Sequence, residues 1–204
     1  MWRFVLRENI RRLETLIARA DSEAERRNLQ QLLEEAKDEL QELEQASTPA
    51  AVQQDTGLRY FAEHAVEEAV SAHAAQFSSL QIFDQSRERL IIAAQRNFRA
   101  PFLHYLSMMR PGDGSACGRC LETGLTAAIE DVNGDPAFEP HRAAALEAGF
   151  RAVGAFPVPS RSQTLIAVLS IYFSKPKHFT LAELEGLGGY AARLGADLEQ
   201  HLPA

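Results

Sequence analysis

The chain has 204 residues, of which 46% are hydrophobic and 24% charged, and its formal net charge is −7. A chain of this size can bury one sizeable core and carry an added extension. The negative charge argues against a nucleic-acid partner, because binding to phosphates requires clustered Lys and Arg side chains.

The cysteine content and the N-terminal residues indicate a cellular compartment. The two cysteines, Cys117 and Cys120, lie three residues apart and cannot crosslink a secreted scaffold. Charged residues such as Arg3 and Arg7 interrupt the apolar run that a signal peptide needs, and no stretch approaches the ~20 apolar residues that span a bilayer. We therefore expect a cytoplasmic protein without membrane contact.

Residues 1–46 have the composition of a helical segment, since residues 3–45 contain no Gly or Pro. An apolar stripe from Ile10 to Ala24 and another from Leu29 to Leu43 differ in phase by two positions. The sequence Ser22-x-x-Glu25 at the slip is a capping box that can start a second helix. The pattern favours two antiparallel helices over a single coiled-coil rod, and its apolar stripe predicts a helical interface in a homodimer.

Residues 47–54 contain small residues and Pro49, which is typical of a linker, and we place a separate domain at residues 55–204. Apolar residues at helical spacing predict a long amphipathic helix over Leu58–His73. Two β-type runs, Phe77–Asp84 and Arg89–Gln95, follow and predict a hairpin with its turn at residues 85–88. A helix over Pro101–Met109 is expected next.

The stretch Arg110–Gly124 combines three glycines in a Gly-x-Gly-x-x-x-Gly spacing with a short helix over Arg119–Thr123 that Gly124 ends. A loop that leads into a helix N-terminus presents free N–H groups, which suit an anionic or carbonyl-bearing ligand, although the glycines could also simply form a tight turn. The segment lacks the Gly-Lys-Ser/Thr ending of a phosphate-binding loop, so it implies no nucleotide fold.

The remaining chain alternates strands and helices. Strands are predicted over Leu125–Val132, Arg151–Val158 and Thr164–Phe173, and the last of these is apolar on both faces, which is typical of the centre of a covered sheet. Asp135 and Pro136 predict the start of a helix that runs to Ala148. Thr180-x-x-Glu183 predicts a capping box at the start of a final helix.

Several motifs occur here in one order: Gly114-Ser-Ala-Cys-Gly-Arg119, Asp131-Val132, Asp135-Pro136 and Gly149-Phe-Arg-Ala-Val153. This series, over roughly residues 55–200, resembles the GAF domain family of bacterial sensor proteins. The resemblance implies an α+β, PAS-like fold with a central antiparallel sheet of five or six strands and helices on both faces. It also implies that the first and last helices pair on one face and build the dimer, while residues 101–148 roof a ligand chamber on the other face.

Candidate ligand-binding residues are those that this fold would place around the chamber. They are Phe102, Tyr105, Met109, Asp113, Gly114, Ser115, Cys117, Asp131, Phe138, Val153 and Ala155. Asp113, Ser115 and Asp131 are possible polar contacts, and each could instead cap a loop. Many relatives have polar residues where this chain has Gly154-Ala155-Phe156, so we expect a more apolar ligand or a chamber that Phe156 partly fills.

Cys117-Gly-Arg-Cys120 leaves three interpretations open: apolar packing, a redox pair with a thiol pKa lowered by Arg119, or a metal site. A metal site would need two further ligands, for which His104 and His141 are the nearest candidates, and either histidine could also ligate haem. We expect packing and capping roles for these residues and no required cofactor. Cys117-Gly118 also resembles the Cys-Gly of free-methionine sulfoxide reductases, but their further cysteines are absent, so we expect no enzymatic activity.

The sequence thus predicts a sensor that binds an unidentified small molecule, dimerises through helices and signals to a separate histidine kinase or other signalling protein. Two alternatives stay open. One is a dimerisation scaffold without a ligand, and the other is a thiol redox protein that uses Cys117 and Cys120.

Overall fold

A computed structural model describes residues 2–20, 22–45, 49–84, 89–106 and 108–202. It divides into two compact units, Met1–Tyr60 with His201–Ala204 and Phe61–Gln200. This division falls after Tyr60, whereas the sequence boundaries at residues 46 and 55 stay a prediction. None of the helices in the described ranges is long and apolar enough to cross a membrane.

Two helices, α1 (Trp2–Ile17) and α2 (Glu23–Gln45), form an N-terminal hairpin. The chain leaves helical geometry between them, where the apolar stripe slips in phase, so the prediction of two helices rather than one rod is confirmed. Leu13 on α1 packs with Leu29, Leu33 and Ala36 on α2. The hairpin therefore covers much of its own apolar stripe, while Leu32 stays 41% exposed.

The long helix α3 spans Pro49–His73 and begins nine residues before the predicted start at Leu58. Proline is well tolerated at the first position of a helix, where its missing N–H has no intrahelical partner, so Pro49 starts this helix rather than breaking the chain. Residues 49–54 of the predicted linker are therefore helical, and residues 46–48 lie outside the described residues.

The sheet has five antiparallel strands in the order β2-β1-β5-β4-β3. These are β1 (Phe77–Asp84), β2 (Arg89–Arg96), β3 (Ala127–Ile129), β4 (Ala152–Pro159) and β5 (Leu165–Phe173). β5 lies at the centre, as its two apolar faces predicted. β3 pairs over only three residues and is shorter than predicted, and the predicted turn at residues 85–88 lies outside the described residues.

After α3, the second unit contains four further helices in its described residues: α4 (Ala100–Leu106), α5 (Ala116–Thr123), α6 (Arg142–Ala148) and α7 (Leu181–Leu198). The helix predicted from Asp135 to Ala148 is split into a 3₁₀ helix, Pro136–His141, and α6. Pro140 lies at the end of the 3₁₀ segment, and its lack of an N–H prevents a continuous α-helical ladder there. The Thr180 and Glu183 capping box of α7 forms as predicted.

The two faces of the sheet carry different helices. On one face α7 packs against β4 and β5, and the Tyr190 hydroxyl on α7 donates to the Ala65 carbonyl on α3 at 3.1 Å. On the other face α4, α5 and α6 cover a core that includes Phe102, Cys117 and Ala145. The layout expected for a chamber between these roof helices and the sheet is present.

Candidate functional site

The glycine loop before α5 is held by the side chains of Asp113 and Ser115. The Asp113 carboxylate accepts hydrogen bonds from Arg110 N at 2.9 Å, Ser115 N at 2.9 Å and Ser115 Oγ at 2.6 Å. Ser115 Oγ in turn accepts from Gly118 N at 2.9 Å, which makes Ser115 the N-cap of α5 and starts that helix at Ala116 rather than at Arg119. Both polar candidates thus cap the loop.

A bidentate ion pair fixes the outer side of this loop. Arg119 donates to both Asp135 carboxylate oxygens at 2.7 Å and through Nε to the Gly114 carbonyl at 2.9 Å. Asp135 also accepts from Ala137 N and Phe138 N as the cap of the 3₁₀ helix. The Arg119 guanidinium lowers the pKa of Asp135 below 3.8. The sequence predicted that Asp135 caps a helix, but it did not indicate the ion pair with Arg119.

An Asp135→Asn variant tests the charge of this pair while preserving a side-chain oxygen for the cap. We expect it to lower the free energy of unfolding at pH 7 by about 1 kcal/mol, since solvent partly screens the pair. The lowered pKa means that the carboxylate's contribution is full above pH 3.8 and is lost as the pH falls through the folded-state value. Urea unfolding should therefore show the difference from the unmodified protein shrinking below pH 3.8, and a constant difference would contradict the charge-pair explanation.

A cavity of about 20 Å³ lies between the roof helices and the sheet, with room for about one water molecule. Its lining includes seven predicted residues: Phe102, Tyr105, Met109, Ser115, Cys117, Phe138 and Val153. It also includes five that the prediction missed: Leu106, Ala116, His141, Phe150 and Tyr172. A cavity therefore lies between the roof helices and the sheet, and five of its twelve lining residues are Phe or Tyr.

Four predicted ligand-binding residues do not line this cavity. Asp113 and Gly114 lie in the loop beside it, and Ala155 is buried in the surrounding core. Asp131 pairs with Arg151 at 2.7 Å and accepts from Asn133 N, an arrangement in which it stabilises the loop after β3.

Phe156 does not fill the chamber, so that expectation is wrong. Successive side chains of a strand point to opposite faces, and Val153 on β4 lines the cavity. Phe156 is instead adjacent to Gly154 and packs on the α7 side of the sheet, where it is fully buried. Space around the cavity is taken by Phe102 and Phe150.

Three segments of the roof meet at His141, which is 7% exposed. The His141 Nε2 lies 2.7 Å from the Asp113 carbonyl, and its Nδ1 lies 2.6 Å from the Tyr105 hydroxyl. A carbonyl can only accept, so Nε2 carries the proton, and in the neutral ring the Tyr105 hydroxyl donates to Nδ1. We call Tyr105, His141 and the Asp113 carbonyl the roof latch, because they join α4 to the glycine loop and the 3₁₀ helix.

The roof latch leaves neither ring nitrogen of His141 free for haem or a metal. The side chain of His104 lies outside the described residues. Among the residues that the structure describes, no group of three or more His, Cys, Asp or Glu side chains could hold a metal ion.

Beneath the cavity, the sheet carries buried polar side chains, which we call the polar floor: Ser79, Gln81, Ser170 and Tyr172. The Cys117 thiol donates to Gln81 Oε1 at 3.4 Å and lies 3.3 Å from Ser170 Oγ. Gln81 Nε2 donates to the Leu106 carbonyl of α4 at 3.3 Å, and Ser79 Oγ is 3.2 Å from the Tyr172 hydroxyl. The polar floor therefore contacts both α5 and the end of α4.

Both cysteines are buried free thiols. Burial raises the pKa of Cys117 to about 11 and that of Cys120 to about 12, because the apolar surroundings disfavour the thiolate. Both pKa values are raised, contrary to the redox interpretation, and Asp135 engages the Arg119 guanidinium that this interpretation invoked.

A family model for the GAF domain matches residues 28–198. No curated protein matches the sequence. Among solved structures, the GAF domain region of a protein from Geobacter sulfurreducens is 10% identical with a TM-score of 0.63, over 74% of this chain and 98% of that one. At these low identities, structural likeness shows the fold alone.

Two further solved structures share this fold. Free methionine-R-sulfoxide reductase from Neisseria meningitidis is 16% identical with a TM-score of 0.57, over 76% of this chain and 93% of that one. The second GAF domain of DevS from Mycobacterium smegmatis is 16% identical with a TM-score of 0.53, over 70% of this chain and 94% of that one. The same fold thus serves an enzyme in one of these proteins.

Proposed function

Since the chain belongs to the GAF domain family, a domain found in signalling sensor proteins, we propose that it is a sensor that binds a small molecule between its roof helices and its sheet. In this proposal the bound molecule changes how helices pack in a homodimer. A separate histidine kinase or other signalling protein then receives the change.

The observation that carries the proposal is the polar floor beneath the cavity. Ser79, Gln81 and Ser170 are fully buried, although apolar side chains in the same places would pack without the cost of burying polar groups. These side chains bond to Tyr172, to Cys117 of α5 and to the Leu106 carbonyl of α4, and of the polar floor only Tyr172 lines the cavity. A ligand that displaces α4 or α5 must therefore break buried hydrogen bonds to the sheet, which couples the sheet to the roof.

A ligand larger than water can enter only when the roof opens. Residues of α4 line the cavity of about 20 Å³, and this helix has only seven residues and is held by the roof latch and by Gln81. We infer an equilibrium between this closed roof and an open roof to which the ligand binds.

A physical route connects the cavity with the helix pair on the other face. Val153 lines the cavity, and alternation along β4 turns Gly154 and Phe156 to the opposite face of the sheet, where α7 packs on β4. A shift of β4 would therefore move α7, which Tyr190 links to Ala65 and Glu68 of α3. Signalling through this route requires that the ligand bind one helix arrangement more tightly than the other.

A ligand-free dimerisation scaffold is the second candidate, because the small cavity volume favours it. We propose no catalytic role. A thiol mechanism needs a reactive thiolate and a resolving partner, whereas Cys117 and Cys120 are buried and protonated.

Native mass spectrometry of the freshly purified protein and a thermal-shift screen of metabolites test the proposal together. We expect a bound or added molecule to raise the melting temperature, since a ligand at 100 times its Kd stabilises by about 2.7 kcal/mol. The subunit number from the same spectra tests the homodimer. A monomer that no metabolite stabilises would contradict the sensor proposal, and a dimer without any ligand would favour the scaffold.

Tyr105→Phe should strengthen binding of the molecule that the screen identifies. It removes the latch hydrogen bond, worth about 1 kcal/mol, and so raises the open fraction and the apparent affinity about fivefold. Tyr190→Phe is the matched control for the loss of a hydroxyl, because this hydroxyl lies on the other face and makes no roof hydrogen bond, so affinity should change much less than in Tyr105→Phe. Equal affinities for Tyr105→Phe and the unmodified protein would contradict the closed-roof equilibrium.

A further inference from the structure

We propose that the buried amide of Gln81 couples α4 to α5, so that the hydrogen bond made by Cys117 on α5 helps to hold α4 in its closed position. The inference rests on the proposed function, because it names the residue that passes a change at one roof helix to the other. The coupling can be measured without a ligand, since parts of a native domain open transiently on their own.

Gln81 lies on β1, is fully buried and bonds to both roof helices. Its Nε2 donates to the Leu106 carbonyl at 3.3 Å, and its Oε1 accepts from the Cys117 thiol at 3.4 Å. Leu106 is the last residue of α4, and the final carbonyls of a helix have no partner within that helix. The Leu106 carbonyl also accepts from Met109 N, at 3.4 Å. Gln81 therefore supplies from the sheet a hydrogen bond that α4 cannot make within itself.

The direction of each of these hydrogen bonds is fixed. A carbonyl only accepts, so the nitrogen of the Gln81 amide faces Leu106 and its oxygen faces Cys117. The thiol has one hydrogen, which bonds to this oxygen, so in its contact with Ser170 Oγ at 3.3 Å the hydroxyl is the donor. Donors therefore follow one another from Ser170 on β5 through Cys117 and Gln81 to Leu106. We call these four residues the amide relay.

Loss of one hydrogen bond in the amide relay weakens the next. Buried hydrogen bonds that point the same way along a chain polarise one another. Without the Cys117 donor the Gln81 oxygen is unsatisfied, which is costly in a core, so the amide gains by turning to another donor and away from Leu106. The effect is reciprocal, because a coupling free energy acts equally in both directions. Movement of α4 should therefore weaken the contact of Gln81 with Cys117.

Amide hydrogen exchange of the full chain measures this coupling. The amides of Leu106 and Met109 report the opening of α4 at its C-terminal end, and the amide of Leu169 on the central strand β5 reports global unfolding. In Cys117→Ala, which removes the donor, exchange at Leu106 and Met109 should rise about threefold relative to Leu169. Cys117→Ser keeps a donor in the same place and should stay within about 1.5-fold of the unmodified protein.

Variants of Gln81 show whether the effect passes through its amide. Gln81→Met keeps the length of the side chain without the amide, so in this background Cys117→Ala should change the exchange ratio by only about onefold. Ser79→Ala is the matched control, because this hydroxyl of the polar floor bonds to Tyr172 and is outside the amide relay. In the Ser79→Ala background Cys117→Ala should keep its roughly threefold effect. The comparison of Cys117→Ala with Cys117→Ser decides the question even where Gln81→Met does not fold.

Three outcomes would overturn the inference. They are an exchange ratio in Cys117→Ala equal to that of the unmodified protein, a Cys117→Ser variant that behaves like Cys117→Ala, and an undiminished effect of Cys117→Ala in the Gln81→Met background. Each of them would leave the sensor proposal standing, because none concerns ligand binding. A monomer that no metabolite stabilises would instead contradict the sensor proposal and leave the amide relay as a property of the fold.

Discussion

A Gly118→Ala substitution is expected to destabilise the domain by about 3 kcal/mol or more, as judged by urea unfolding. A methyl group on Gly118 would overlap the Asp113 carboxylate and the Arg110 carbonyl. These are the atoms that hold the glycine loop, and the backbone carbonyl cannot rotate away as a flexible side chain could. The loop and the start of α5 must therefore shift together.

Gly114→Ala should have an effect of similar size for two reasons. Gly114 has φ +85°, which costs a residue with a Cβ roughly 1–2 kcal/mol, and its added methyl would overlap the Ala137 carbonyl of the 3₁₀ helix. Gly186→Ala on α7 is the matched control, because nothing lies within 4 Å of its added methyl. That control should be neutral or stabilise by about 0.5–1 kcal/mol. Equal losses at Gly118 and Gly186 would contradict the packing of the glycine loop.

Local signals in the sequence predicted most of the elements. The apolar stripe of α3, the two apolar faces of β5 and the Thr180 capping box each require only a short window of residues. Their outcomes match because the physical cause is local. The phase slip before α2 is also a local signal. Because the two apolar stripes differ in phase, one straight helix could not present both of them to the same partner.

Other boundaries depend on contacts made far along the chain. β3 ends after Ile129 because only three of its residues pair with β4, and no window around Leu125–Val132 contains that information. The start of α5 depends on the Ser115 hydroxyl being free to cap it, which in turn depends on the Asp113 carboxylate. The sequence identified Asp113 and Ser115 as polar candidates, but it did not show which hydrogen bonds they make.

The candidate site was predicted in part, for a related reason. Residues in the roof motifs were found because they are close in sequence to the glycine loop, whereas Tyr172 was missed because β5 lies about fifty residues further along. Alternation could have identified Tyr172, since it shares a strand face with Ser170 and Val168 once that face is known. Asp131 does not line the cavity, because closeness in sequence does not say which way a side chain points, and it pairs with Arg151.

Both cysteine thiols are expected to survive peroxide in the native protein at pH 7. With a pKa of about 11 for Cys117 and about 12 for Cys120, the thiolate fractions are roughly 10⁻⁴ and 10⁻⁵, against a few per cent for an ordinary exposed cysteine. Oxidation and alkylation proceed through the thiolate, so both should be slower than for the urea-unfolded chain by at least about 100-fold.

Thiol trapping before and after peroxide, with mass detection, measures this difference, and Cys120→Ser separates the two sites. The same measurement reports on the roof. Cys117 and residues of α4 line the same cavity, so Tyr105→Phe should speed alkylation of Cys117 about fivefold by raising the open fraction, while Tyr190→Phe should not. Rapid formation of a Cys117–Cys120 disulfide in the native chain would instead favour the redox alternative. It would contradict a purely structural role for Cys117 as a hydrogen-bond partner of the polar floor.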